Sequence, residues 1–130
     1  MTIEAALRRG RSIARAARVE VRGKFLFANG EKLYLRGVTY GTFRPQANGT
    51  MFPPPEVVEA DFRGMVEARV NAIRTYTVPP GWLLDLASSS GLYVLVGIPW
   101  EQHIRFLDDR KTRKGIERAV REAVRICAAH

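Results

Sequence analysis

The run Trp100-Glu101-Gln102-His103 sets an aromatic face beside a carboxylate, an amide and an imidazole. That set suits a sugar, which stacks its ring on an aromatic face and offers hydroxyl groups to planar polar side chains. A loop that is merely polar, with His103 partly exposed, is the plainer reading of the same four residues. Arg74-Thr75-Tyr76 forms the second cluster. An arginine flanked by apolar positions needs a partner, because an unpaired buried guanidinium is costly. That partner is either a structural carboxylate under the sheet or a carboxylate in a crevice, which Arg74 would orient and hold ionised. Tyr40, Phe43, Arg44 and Tyr76 carry the ambiguity of the Trp100–His103 run, sugar contact or plain loop, whereas Trp82 reads as packing between a helix and a sheet.

What is missing narrows the chemistry. Cleavage between sugars commonly uses two carboxyl groups, about 5–5.5 Å apart for retention or ~6.5–9.5 Å apart for inversion. Among positions at strand ends only Glu101 qualifies: Asp85 falls inside a helix, Asp108 and Asp109 lie further on, and Glu56, Glu59 and Asp61 belong to an earlier helix. No glycine-rich phosphate loop follows any strand, so no nucleotide cofactor is expected. Ser88 to Ser90 sit at a helix end far from His103, which leaves a Ser-His-Asp site without support. Cys127 is the single cysteine, so no intramolecular disulfide can form, and no Cys/His spacing suggests a metal. The expected cofactor is none.

The elements that must position these residues follow from periodicity. Apolar residues alternate at Val19, Val21, Phe25 and Phe27, then Leu33 and Leu35 after Asn29-Gly30. Asn-Gly between alternating runs predicts a small antiparallel hairpin, 19–28 with 32–36. Residues 36–41 predict a strand that ends at glycine and enters the loop 42–55, which holds four of the seven prolines. Residues 56–69 predict an amphipathic helix with Val57, Val58, Phe62, Met65, Val66 and Ala68 near one face. A strand over 70–76, a helix over 81–90 ended by Gly91, and a strand over 92–98 follow. A last helix over 112–129 carries Ile116, Ala119, Val120, Ala123, Val124 and Cys127 at helical spacing. This order is a repeated βα unit and predicts parallel strands joined by right-handed crossovers. Ligands of such sheets bind beyond the carboxyl ends of the strands, so residues 40–44, 74–79 and 98–103 should converge on one face.

Charge gives little more. The net charge of +8 is concentrated at the ends: +5 over residues 1–24, −1 over 25–104 and +4 over 105–130. A near-neutral middle argues against a phosphate-tracking surface, so nucleic acid is not an expected partner. The longest nearly apolar run, 91–100, is half of what a membrane span needs. No secretory leader is visible, and the expected location is cytoplasmic. Residues 1–18 read as a basic lead-in, helical or disordered, and 19–130 as one folded domain.

Three segments, FLFANGEKLYLRGVTYG, ADFRGMVEARVNAIRTYTVPP and LLDLASSSGLYVLVGIPWEQ, occur in an order and spacing that resemble the start of the catalytic barrel of clan A glycoside hydrolases, particularly family 2. They cover roughly residues 22–104. The resemblance implies a (β/α)8 barrel that hydrolyses β-glycosidic bonds with retention. It implies an acid/base glutamate and a nucleophile glutamate at the ends of the fourth and seventh strands. It gives Arg74 the role of supporting the nucleophile; the strand-end reading above adds Tyr40, Arg74, Tyr76, Trp100, Glu101 and His103 as substrate-binding candidates. Neither glutamate has a counterpart here. The expected fold is therefore the N-terminal part of a TIM-type barrel, about three βα units behind a hairpin, with an oligo- or polysaccharide such as a β-glucan as partner. Its sequence reads as a truncated hydrolase with no activity alone. The alternative is a non-catalytic carbohydrate-binding or assembly module, including the barrel part of a glycosyltransferase fusion. Open sheet edges predict self-association or pairing with a missing C-terminal half.

Overall fold

The computed structural model describes residues 17–100 and 103–130. Most of the lead-in expected over 1–18, together with Glu101 and Gln102, lies outside the described residues.

Strands β1 (Val19–Arg22), β2 (Phe25–Ala28) and β3 (Glu31–Lys32) form an antiparallel meander in that order. The single strand expected over 19–28 is thus two strands, because the chain turns at Gly23, where φ is +63°. The turn also reassigns faces. Arg22 pairs with Phe25 and Val21 with Leu26, so Val19 and Val21 share a face with Leu26 and Ala28, not with the phenylalanines. Phe25 and Phe27 lie on the opposite face under cations: Lys32 Nζ is 4.1 Å from the Phe25 ring centroid, and Arg22 Cζ is 4.9 Å from that of Phe27. The last arm is shorter than the expected 32–36, although Leu33 N still donates to Leu26 O.

Strands β4 (Gly37–Thr39), β5 (Ala72–Thr75) and β6 (Tyr93–Val96) form a parallel sheet in sequence order. Thr39, Arg74 and Leu95 stand side by side in one row, and Val38, Ile73 and Val94 in the next. The crossovers are α1 (Pro55–Glu67) and α2 (Gly81–Ser90), and α3 (Arg110–Cys127) follows β6. Three of the helix boundaries have a local cause. Pro55 sits in the first turn of α1, where its missing N–H is no loss, with Glu56 beside the positive end of the helix dipole. Gly91 ends α2 in the left-handed region, and its N–H donates to Ser88 O. Asp109 caps α3 by accepting from Lys111 N and Thr112 N.

The core lies between one face of the sheet and the helices: Val58 and Phe62 of α1, Leu83 and Ala87 of α2, Ile73 of β5, and Leu92. Trp82 is half-buried against it. Phe52 of the long loop is also buried there, and its carbonyl accepts from Gln46 Nε2, which ties the loop down. Two helical faces are narrower than periodicity implied. Val57 and Val66 of α1 and Ala68 just past its end are exposed, because among the described residues α1 packs through Val58 and Phe62 on the sheet core and along α2. In α3 only Ala123 is fully buried, and Val124 is 59% exposed. No helix among the described residues is long and apolar enough to cross a membrane.

Candidate functional site at the strand ends

The carboxyl ends of β4, β5 and β6 open into a cleft of about 870 Å³. The strand ends can run this close because residue 97 is glycine. Gly97 N donates to Thr75 O at 2.8 Å, and a Cβ on Gly97 would stand 2.8 Å from the Tyr76 carbonyl and closer still to Thr75 O.

The first strand end contributes Thr42 to the lining, the second Arg74, Tyr76 and Thr77, and the third Trp100 and His103. Arg74 stands on the sheet face opposite the helices, in the row with Thr39 and Leu95, and its Cζ lies 4.9 Å from the centroid of the Tyr76 ring. It is exposed, and no described carboxylate pairs with it, so the reading of Arg74 as half of an ion pair beneath the sheet does not hold among the described residues. Trp100 is 49% exposed, with its ring tilted against Phe106 at 6.4 Å between centroids. His103 is exposed on a backbone at φ 62°.

Tyr40 is placed differently. Its ring is 5% exposed, packed edge-to-face on Phe43 at 4.8 Å and tilted on Phe62 at 5.4 Å. Its hydroxyl donates to Asp61 Oδ2 at 2.7 Å, and burial followed by the Asp61 carboxylate pushes the phenol pKa well above its ordinary value. Tyr40 is a core residue between β4 and α1, because the side chain after Thr39 turns toward the helix layer. Phe43 is half-buried in the same cluster, while Arg44 is exposed. Glu101, the one carboxylate the sequence places at a strand end, lies outside the described residues.

The cleft therefore brings together Arg74, Tyr76, Trp100 and His103 and leaves Tyr40 out. It adds Thr42 and Thr77, which fall in the segments 40–44 and 74–79 expected at the strand ends but carry no side chain that marks them out there. Two aromatic rings, a guanidinium, an imidazole and two hydroxyl groups can stack on and hydrogen-bond a polyhydroxylated ring. No described lining residue is a carboxylate. A second groove, between the start of β1 and the layer of α2, β6 and α3, sets Arg18, Ser88, Tyr93 and His130 around Val19, Leu84, Leu92, Val94, Val96 and Cys127, and burial pushes the Cys127 thiol pKa up. Among the described residues no cluster of His, Cys, Asp and Glu could hold a metal ion.

Residues 19–119 match the glycosyl hydrolases family 2 TIM barrel domain. The chain belongs to that family. Comparison with curated proteins gives no match. In this family 2 barrel domain the parallel strands, both crossover helices and every described residue of the cleft fall within the matched span. Sites of TIM barrels are built on the loops that follow the carboxyl ends of the strands, where the cleft of this family 2 domain opens.

Proposed function

We propose that the chain is the N-terminal portion of a retaining glycoside hydrolase, in which β4, β5 and β6 are the first three of eight barrel strands and the strand-end cleft binds an oligo- or polysaccharide. The observation that carries this reading is the grouping of Arg74, Tyr76, Trp100 and His103 around one cleft at the strand ends. Residues 1–18 serve as a basic lead-in and 19–130 as the partial barrel, working in the cytoplasm. Arg74 supports a nucleophile that other chain supplies, either a C-terminal barrel half or a second copy. The acid/base and nucleophile glutamates expected at the ends of the fourth and seventh strands have no counterpart among β4, β5 and β6, so the 130-residue chain alone does not hydrolyse glycosides.

A second reading is a non-catalytic carbohydrate-binding or assembly module, such as the barrel part of a glycosyltransferase fusion. The cleft lining favours it to this extent: it offers stacking faces and hydroxyl groups but no described carboxylate. Titration with β-glucan oligosaccharides at millimolar concentration should quench tryptophan fluorescence, and Trp100→Ala should abolish the quench. Absence of quenching in the wild-type chain would remove the sugar-binding reading in both forms. Release of the aryl group from an aryl β-glycoside by the chain alone would overturn the claim that it is inactive.

A further inference from the structure

We propose that Asn29 is a site of spontaneous covalent modification, where the turn of the meander converts to aspartate and isoaspartate, and that the fold withholds the same reaction from Asn48. The sequence Ala-Asn-Gly occurs twice, at Ala28-Asn29-Gly30 and at Ala47-Asn48-Gly49. In such a pair the backbone nitrogen of the glycine can attack the preceding carboxamide, since no Cβ hinders the approach. The N–H proton leaves to a base in solvent, a bond forms between that nitrogen and Cγ, the Cγ–Nδ2 bond breaks, and ammonia departs. Water then opens the cyclic imide at either carbonyl, which gives aspartate or, with the main chain rerouted through the side chain, isoaspartate.

Both pairs are exposed, and a Cβ at either glycine would meet nothing, so access does not separate them. Hydrogen bonding does. The register Ala28↔Glu31 makes Asn29 and Gly30 the two residues of the turn, at φ 52° and 78°, and Gly30 N has no acceptor among the described residues. Around Asn48 both reacting groups are engaged: Gly49 N donates to Gln46 O at 2.9 Å, and Asn48 Oδ1 accepts from Thr50 N at 2.9 Å. There the nucleophile must give up its bond before it can react, and the carboxamide must turn away from Thr50. Isoaspartate lengthens the main chain by the side-chain methylene. The turn then no longer sets the register that holds Lys32 opposite Phe27 and over the Phe25 ring.

The full chain aged in mildly alkaline buffer and then digested with trypsin carries Asn29 and Asn48 in separate peptides, 25–32 and 37–63, whose mass rises as amide becomes acid. In the native chain Asn29 should convert at least about 5-fold faster than Asn48, the factor in rate set by one net hydrogen bond of about 1 kcal/mol. In urea, where neither turn persists, the two rates should converge. No conversion at Asn29, comparable rates in the native chain, or an excess at Asn29 that persists in urea overturns the proposal. By NMR the aged chain should lose the contacts between Phe27 and Lys32, whereas Asn29→Asp, which adds the charge on an unaltered backbone, should keep them. Retention of those contacts in the fully converted chain overturns the isoaspartate route. Their loss in Asn29→Asp as well would lay the change on charge and overturn the backbone account.

Discussion

Asn71 and Arg36 clasp each other twice where the parallel sheet begins: Arg36 N donates to Asn71 Oδ1 at 2.7 Å, and Asn71 N donates to Arg36 O at 3.0 Å. Asn71 Nδ2 also donates to Tyr34 O at 2.9 Å, and Tyr93 N donates to Asn71 O at 2.9 Å. One asparagine therefore joins the connector from the meander to the starts of β5 and β6. Removing its side chain leaves a backbone donor and a backbone acceptor unmatched, at about 1–2 kcal/mol. Urea unfolding of Asn71→Ala should show a loss of that size. Asn48→Ala, which removes only the acceptor for Thr50 N in an exposed turn, should stay within about 0.5 kcal/mol. Equal losses in the two variants would mean that the clasp is dispensable.

The Tyr40 hydroxyl sets the alkaline behaviour of the fold. Its folded-state pKa is raised, first by burial and then by Asp61, so the stability it contributes is complete below the ordinary tyrosine value of about 10 and drains away as pH climbs above it. Tyr40→Phe should cost about 1 kcal/mol at pH 7 through the lost hydrogen bond and should flatten the decline above pH 10. Thermal melts of both proteins at pH 7 and pH 11 measure this directly, and parallel declines would contradict it.

Acid acts at the other end of the chain. Asp109 has its carboxyl pKa lowered, chiefly by the Thr112 side-chain hydrogen bond and then by the backbone N–H groups of Thr112 and Lys111. A depressed carboxyl pKa gives stability that is present above the ordinary aspartate value of about 4 and is lost as pH falls below it. Helix α3 should therefore fray in acid. Asp109→Asn should keep most of the cap at neutral pH and lose this acid dependence, as read by far-ultraviolet circular dichroism from pH 7 to pH 2.

Gly97→Ala tests whether the strand ends need to be so close. The added methyl meets the backbone at Thr75 O and the Tyr76 carbonyl, neither of which can swing aside as a flexible side chain would. The expected cost is about 1–3 kcal/mol, as for overpacked cores. A change in Trp100 emission should accompany it, because residues 97 and 100 follow the same strand. A neutral melt with unchanged emission would show that β5 and β6 can part without penalty.

Leu95 lies on β6, an edge strand of the parallel sheet among the described residues, with 58% of its surface exposed, in a strand whose four residues, Tyr93, Val94, Leu95 and Val96, carry no charge. Unguarded edges of this kind pair with other chains. Sedimentation at tens of micromolar, a range chosen for typical edge association, should reveal oligomers, and Leu95→Lys should shift them toward monomer. A wild-type chain that sediments as monomer would refute the expectation.

The parts of the fold legible in the sequence were those with local causes. Pro79-Pro80-Gly81 and Gly91 bracket α2, and the uncharged run after Gly91 contains β6. Features set by distant partners were hidden. Alternation across Gly23 persists because a two-residue turn preserves the period, yet that turn sends Phe25 and Phe27 to the other face. The heptad-like apolar pattern of α3 records that the helix is amphipathic and says nothing of what covers Val124. Tyr40 read as a candidate ligand residue because a strand end has two sides and only the packing of α1 shows which one it takes. Arg74, Tyr76, Trp100 and His103 were visible as strand-end residues. Asn71 had no visible role, since its partners are 35 and 37 positions away along the chain.

Among the described residues the meander shares no ladder with the parallel layer and meets it only at the Asn71 connector and along the groove that Val19 lines. Its Phe25–Lys32 and Phe27–Arg22 contacts are internal to it, and Val21 on the other face is 73% exposed. The two sheets then form two cooperative units, and the chain opens in stages: amide protons across the β2–β3 ladder should exchange with solvent long before those of Ile73 and Val94, at an opening free energy that leaves the strand-end cleft closed.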